Sequence, residues 1–123
     1  IHFLRDATRG GVASVLNEIA KDGDWGIEIR EKDIPLAEQV NGACEMLGLD
    51  PLYVANEGVF IAVVKNSTAN DVLSWLQQDE NAVNAALIGN ICTGHKGQVI
   101  LQSAIGGRRV VNMLPGEQLP RIC

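Results

Sequence analysis

Val59-Phe60-Ile61-Ala62-Val63-Val64 is an unbroken apolar run set directly behind Asn56-Glu57-Gly58. A run of that length, without polar alternation, reads as a central strand covered on both faces. The chain before it reads backwards as an irregular stretch from Asp50 to Gly58, then a helix. That helix begins at Pro35, where the missing N–H costs nothing. Leu36, Val40, Ala43, Cys44 and Leu47 fall on one face of it, and Gly48 is its C-cap. Further back, Trp25 to Arg30 alternates apolar and charged residues as a strand does. Asp6-Ala7-Thr8-Arg9-Gly10-Gly11 opens the first helix, with Asp6 and Thr8 as N-cap candidates. Val12, Val15, Leu16 and Ile19 follow at helical spacing, and Asp22-Gly23-Asp24 ends it. Ile1 to Leu4 has room for one short additional strand.

Beyond the central run, Ser67 or Thr68 caps a third helix whose stripe is Val72, Leu73 and Leu76. Ala86 to Cys92 and Gln98 to Gln102 read as strands joined through the Gly-bounded turn Thr93-Gly94-His95-Lys96-Gly97. Gly106-Gly107 reads as a further turn, and Arg108 to Leu114 as the last strand. From Pro115 to Cys123, two prolines and a glycine exclude a stable helix. The order predicts an α+β fold with helices layered on a mostly antiparallel sheet. Residues 1–114 form the domain and residues 115–123 a flexible tail.

The 123 residues are 46% hydrophobic, enough for one core. Six Arg and four Lys stand against 15 acidic residues, for a formal net charge of −5. The basic residues are scattered except for Arg108-Arg109, which argues against a nucleic-acid partner. No apolar run approaches the roughly 20 residues of a membrane span. Cys44, Cys92 and Cys123 are an odd, widely spaced set without a C-x-x-C pair, so reduced thiols in a cytosolic protein are expected and no metal site. The start at Ile1, without Met, suggests an excised domain.

Three places are candidates for chemistry. Cys123, with nothing after it, is the most accessible thiol a chain can offer, and the nine-residue tail could reach on the order of 30 Å. Such an arm suits a swinging carrier; a terminus that merely ends in cysteine is the plain alternative. Thr8-Arg9-Gly10-Gly11 at a helix start offers unpaired N–H groups, positive partial charge and a guanidinium to a phosphate. Gly-Gly equally suits close packing of helix on sheet. Glu57, on a loop at the mouth of a strand, is placed as a general base, or is a surface carboxylate beside a turn glycine. His95 in its turn reads as solvated, and His2 beside the first residue is uninformative. Cys44 and Cys92 read as inert, buried thiols. Trp25 and Trp75 are too far apart in sequence to form a stacking platform.

These residues carry a resemblance that runs over the whole chain. Arg5-Asp6-Ala7-Thr8-Arg9-Gly10-Gly11-Val12-Ala13, the stretch from Ala43 to Gly58, Gly106-Gly107-Arg108-Arg109 and the ending Leu119-Pro120-Arg121-Ile122-Cys123 resemble the C-terminal domain of the HypE family. These are carbamoyl dehydratases of NiFe-hydrogenase maturation, within the AIR synthase-related superfamily. The first motif is shared with relatives such as selenophosphate synthetase, whereas the Pro-Arg-Ile-Cys ending is specific. Ala7 stands where the family often has proline.

The resemblance implies that a carbamoyltransferase, HypF, loads a carbamoyl group onto the Cys123 sulfur. The tail then enters an ATP site, the oxygen is phosphorylated, and loss of phosphate leaves thiocyanate on Cys123. The cyanide passes to iron held by a HypC–HypD complex. Glu57 is implied as the base, and Thr8, Arg9, Gly10 and Gly11 as phosphate-binding. Mg and most ATP contacts are implied to come from an N-terminal domain that also forms a homodimer, so the fragment alone is expected to be inactive. Two other functions fit the same residues: another AIR synthase-related kinase or synthetase, or a docking module for maturation partners.

Overall fold

In the computed structural model, residues 2–113 are described; Cys123 and the rest of the segment from residue 114 lie outside them. The elements run β1 (Phe3–Asp6), α1 (Gly11–Gly23), β2 (Gly26–Arg30), α2 (Glu38–Leu47), β3 (Phe60–Val63), α3 (Ala69–Leu76), β4 (Gly89–Cys92), β5 (Val99–Gln102) and β6 (Arg108–Val110), with short 3-10 turns at Glu31–Asp33, Pro51–Tyr53 and Asn66–Thr68. The α+β reading stands. Among the described residues, three of the four strand pairings are antiparallel, and only β2 with β5 is parallel.

The larger sheet has the order β4-β2-β5-β6. Alternation along β2 and β5 sends Ile27, Ile29, Val99 and Leu101 to the buried face, where they meet Val15, Leu16 and Ile19 of α1. The other face carries Glu28, Arg30, Gln102 and Arg108, and Arg108 bonds Glu28 at 2.8 Å. Helix α1 also buries Asn17, whose Nδ2 donates to Ala13 O at 2.8 Å and Val111 O at 2.9 Å. That second bond ties the helix to the chain leaving β6, and no buried side-chain amide is left unpaired among the described residues.

Several local expectations are corrected. Val59–Val64 is not a central strand. Among the described residues its core, β3, pairs only with β1, and the two form a separate sheet. Phe3, Ile61 and Val63 face the core, while Leu4 and Phe60 turn outward and remain 57% and 44% exposed. The outward face and α3 enclose an open apolar hollow of about 510 Å³ lined by Leu4, Phe60, Ala62, Val72, Trp75 and Leu76. An apolar run therefore marked burial potential that these residues do not realise on both sides. The additional strand lies at Phe3–Asp6 rather than Ile1 to Leu4.

Strands β4 and β5 do not form a hairpin, because β2 lies between them. The turn 93–97 instead crosses the end of β2, with Gly97 N donating to Trp25 O at 2.9 Å. Helix α2 starts at Glu38, three residues past Pro35, and buries only Cys44 among its own residues; Val40 and Leu47 are exposed. Its Gly48 C-cap is left-handed as read, with φ 69°. The last strand ends at Val110 rather than Leu114. No helix among the described residues is long and apolar enough to cross a membrane.

Candidate functional site

The turn Thr8-Arg9-Gly10-Gly11 joins β1 to α1. Neither Asp6 nor Thr8 caps the helix, contrary to the expectation from their side chains. Gly10 holds the N-cap position without a side-chain bond. Gly10 and Gly11 are both left-handed, at φ 74° and 65°, which two successive L side chains would resist. The reason for Gly11 is contact: a Cβ there would lie 2.5 Å from Leu52 O and 2.6 Å from Val54 O. The start of α1 thus sits directly on the Pro51–Tyr53 turn. Gly11→Ala is expected to destabilise the domain by about 2–4 kcal/mol, combining backbone strain with the clash. A lower urea midpoint at unchanged m would record it, and an unchanged midpoint would refute it.

The chain leaving the Pro51–Tyr53 turn returns to the same place. Asn56 N donates to Ala7 O at 3.1 Å and Thr8 O at 3.2 Å, and Ala7 N donates to Val59 O at 2.9 Å. Ala7 is fully buried beneath these bonds. Because β1 and β3 are antiparallel, the end of one and the start of the other lie together. Two motifs some 45 residues apart in sequence, Thr8–Gly11 and Asn56–Gly58, therefore form one rim. Glu57 is exposed on it, between Asn56 and the left-handed Gly58 at φ 81°.

Thr8 is exposed and Arg9 half-buried, and Arg9 makes no ion pair among the described residues. The N–H groups of Val12 and Ala13 in the first turn of α1 have no carbonyl four residues back within the helix. Hydroxyl, guanidinium and helix N–H groups are donor types that phosphate oxygens accept from. The bare side of Gly11 faces carbonyl oxygens instead, so that glycine serves packing.

A third group was not anticipated from the sequence. Tyr53 donates its hydroxyl to Asn112 O at 2.5 Å, and Arg109 donates to Asp50 Oδ2 at 2.8 Å. Asp50 also caps the Pro51–Tyr53 turn, accepting from Leu52 N at 3.0 Å. Desolvation holds the Tyr53 phenol above its ordinary pKa; Asp50 adds to this, while Arg109 and the bond to Asn112 oppose it. The phenol therefore stays protonated and donating at neutral pH. Asn112 is thus held beside the turn on which α1 rests. An Asp-Pro pair ahead of a turn was the sequence signal for this cap.

The remaining candidates stand apart from the rim. His95, at φ 53°, lies 3.5 Å from Glu28 across the polar sheet face. Cys44 is buried, and the half-buried Cys92 directs its thiol to Gly94 O at 3.4 Å.

The separate β1–β3 ladder, the mixed β4-β2-β5-β6 sheet and the glycine turn between β1 and α1 define the class. The chain belongs to the family described as AIR synthase related protein, C-terminal domain, which residues 1–102 match. It is 47% identical over all its 123 residues to the carbamoyl dehydratase HypE of Rhodobacter capsulatus, and spans 36% of that protein's length. A crystal structure of hydrogenase maturation protein HypE in complex with ATP superposes over the whole chain with a TM-score of 0.91 at 43% identity, the match covering 38% of that protein. A crystal structure of a HypE–HypF complex matches 89% of the chain and 35% of its counterpart, with a TM-score of 0.84 at 39% identity.

Proposed function

We propose that this chain is the C-terminal part of an ATP-dependent carbamoyl dehydratase of hydrogenase maturation, whose substrate is a carbamoyl group on its own Cys123. The observation that carries the reading is the rim itself. Backbone bonds from Asn56 to Ala7 and Thr8 bring the segment that carries Glu57 against the Thr8–Gly11 turn, in a chain that also carries Cys123.

The carrier thiolate of Cys123 takes up the carbamoyl group as a thiocarbamate. ATP supplies the phosphoryl group that makes the carbamoyl oxygen a leaving group. Thr8 and Arg9 hold phosphate oxygens, and the first turn of α1 directs its N–H groups at them. Both N–H protons must leave before the C≡N bond is complete, and Glu57 is the base that takes them one at a time, passing the first to solvent before the second is removed. The sum is loss of one water from S–C(=O)–NH₂ to give S–C≡N, coupled to ATP hydrolysis.

The similarity to a HypE solved with ATP supports the nucleotide, and that to a HypE–HypF complex supports HypF as the loading partner. Delivery of cyanide to a HypC–HypD complex, Mg, a homodimer formed by an N-terminal domain and a cytoplasmic setting complete the proposal. So does the division into a domain (1–114) and a tail (115–123). They rest on the family resemblance.

The test is to supply the full-length protein with the carbamoyltransferase, carbamoyl phosphate and ATP, then follow its C-terminal peptide by mass spectrometry. A carbamoyl adduct on Cys123 is expected first, and then loss of one water. A tail that stays unmodified would end this reading.

A further inference from the structure

We propose that Arg109 is a positioning residue for the dehydration step: through Asp50 it holds the segment that carries Glu57 against the Thr8–Gly11 turn. This rests on the function proposed above.

Arg108 and Arg109 are neighbours in β6, and the pleat sends them to opposite faces of the sheet. Arg108 takes the polar face and pairs with Glu28 at 2.8 Å. Arg109 stands opposite Leu101 of β5, whose side chain lies in the core with those of α1, so it takes the α1 side. There its guanidinium donates to Asp50 Oδ2 at 2.8 Å. The other oxygen of the same carboxylate, Oδ1, accepts from Leu52 N at 3.0 Å. One side chain thus joins β6 to the Pro51–Tyr53 turn.

Leu52 is the buried residue of that turn. Apolar burial is non-directional, so this anchor alone leaves rotation about itself open. Ion pairs and hydrogen bonds have direction. One such tie lies on each side of Leu52: Asp50 to Arg109, and the Tyr53 hydroxyl to Asn112 O at 2.5 Å. Any rotation of the turn passes along the chain to Val54, whose carbonyl abuts Gly11, then to Asn56 and Glu57. The start of α1 is held independently, by Ala13, Val15 and Leu16 in the core. Loss of the tie therefore moves the Glu57 side of the rim and leaves the Thr8–Gly11 side in place. With side chains 48% and 32% exposed, the Arg109–Asp50 pair contributes little to folding stability. Its contribution is the placing of a base, to which proton transfer is sensitive.

Arg109→Met keeps the aliphatic stem and removes the guanidinium. In the full-length protein it is expected to slow dehydration of the carbamoyl adduct about tenfold, leaving carbamoyl loading and the KM for ATP unchanged. Melting within about 3 °C of wild type would accompany this. Arg109→Lys, which keeps the charge, should recover part of the rate. Asp50→Asn keeps an acceptor for Leu52 N and loses the charge; combined with Arg109→Met it should slow the step no further, because both act through one pair. Arg108→Met is the control, since it removes a similarly exposed ion pair from the same strand and should dehydrate at the wild-type rate. Equal slowing by Arg108→Met, or slowing that sums in the Asp50→Asn and Arg109→Met double variant, marks a merely structural role and overturns the proposal. An unchanged rate in Arg109→Met overturns it as well.

A second measurement does not depend on turnover. Hydrogen exchange at Asn56 N–H reports the bond that joins the two halves of the rim. Arg109→Met should speed it about tenfold while the amides of Val15 and Ile19 in α1 keep their protection. Identical exchange at Asn56 overturns the anchor. A wild type that is loaded but never dehydrated overturns the dehydratase reading, and the role of Arg109 in dehydration with it, even where exchange at Asn56 responds. A dehydrating wild type with an indifferent Arg109→Met overturns only the role of Arg109.

Discussion

Cys123→Ala in the full-length protein is expected to abolish formation of the thiocyanate and maturation of the hydrogenase, by more than about a thousandfold. The size of the effect follows from the role. A general base can be replaced in part by water, but a covalent carrier has no substitute, because without its sulfur the carbamoyl group is never attached. The substitution is expected to leave the core intact, since the buried cluster among the described residues runs from Ala7 to Val111. Folding and nucleotide affinity should therefore match wild type, and the melting temperature and ATP binding are the controls. Normal hydrogenase maturation by Cys123→Ala would remove the carrier from the account.

Glu57→Gln is expected to separate the two half-reactions. Glutamine keeps the length and most of the shape of the side chain while losing the basic carboxylate. Loading of Cys123 by the carbamoyltransferase needs no proton from the substrate nitrogen at this rim, so the adduct should accumulate normally. Dehydration should fall by about 10²–10⁴, the usual contribution of a positioned base. The backbone supports this as a clean experiment, because the rim is held by Asn56 N–H and Ala7 N–H and not by the Glu57 side chain. If thiocyanate forms at a normal rate, the base lies elsewhere.

What was legible in the sequence was what short-range chemistry controls. The α1 stripe, the left-handed Gly48 and the alternation of β2 all follow from local period and turn residues, whereas the stripe read on α3 buries none of its residues. Strand order was not, since β2 separating β4 from β5 depends on which edges find each other and not on the turn between two strands. The exposed faces of β1–β3 and α2 were misjudged for a related reason. Leu4, Phe60, Val40 and Leu47 show the preference of a side chain for burial, whereas their exposure depends on what is packed against them.

The site was legible in pieces. Thr8–Gly11 and Asn56–Gly58 were each read as candidates, but nothing in their spacing predicted that Asn56 would hydrogen-bond Thr8. Gly10 and Gly11 were read as open to a phosphate or to packing, and the Leu52 and Val54 carbonyls against Gly11 favour the second. The pairings of Tyr53 and Arg109 gave no signal, because the partner of each lies 59 residues away.

The abutment of Gly11 on the Leu52 and Val54 carbonyls has a consequence for how variants of this protein combine. With those carbonyls packed directly against the bare side of Gly11, a shift of either side presses on the other. Changes on the two sides should consequently fail to sum: a second lesion across the seam adds little once the first has opened it. Kinetic defects measured there describe one mechanical unit, and should not be divided among its residues.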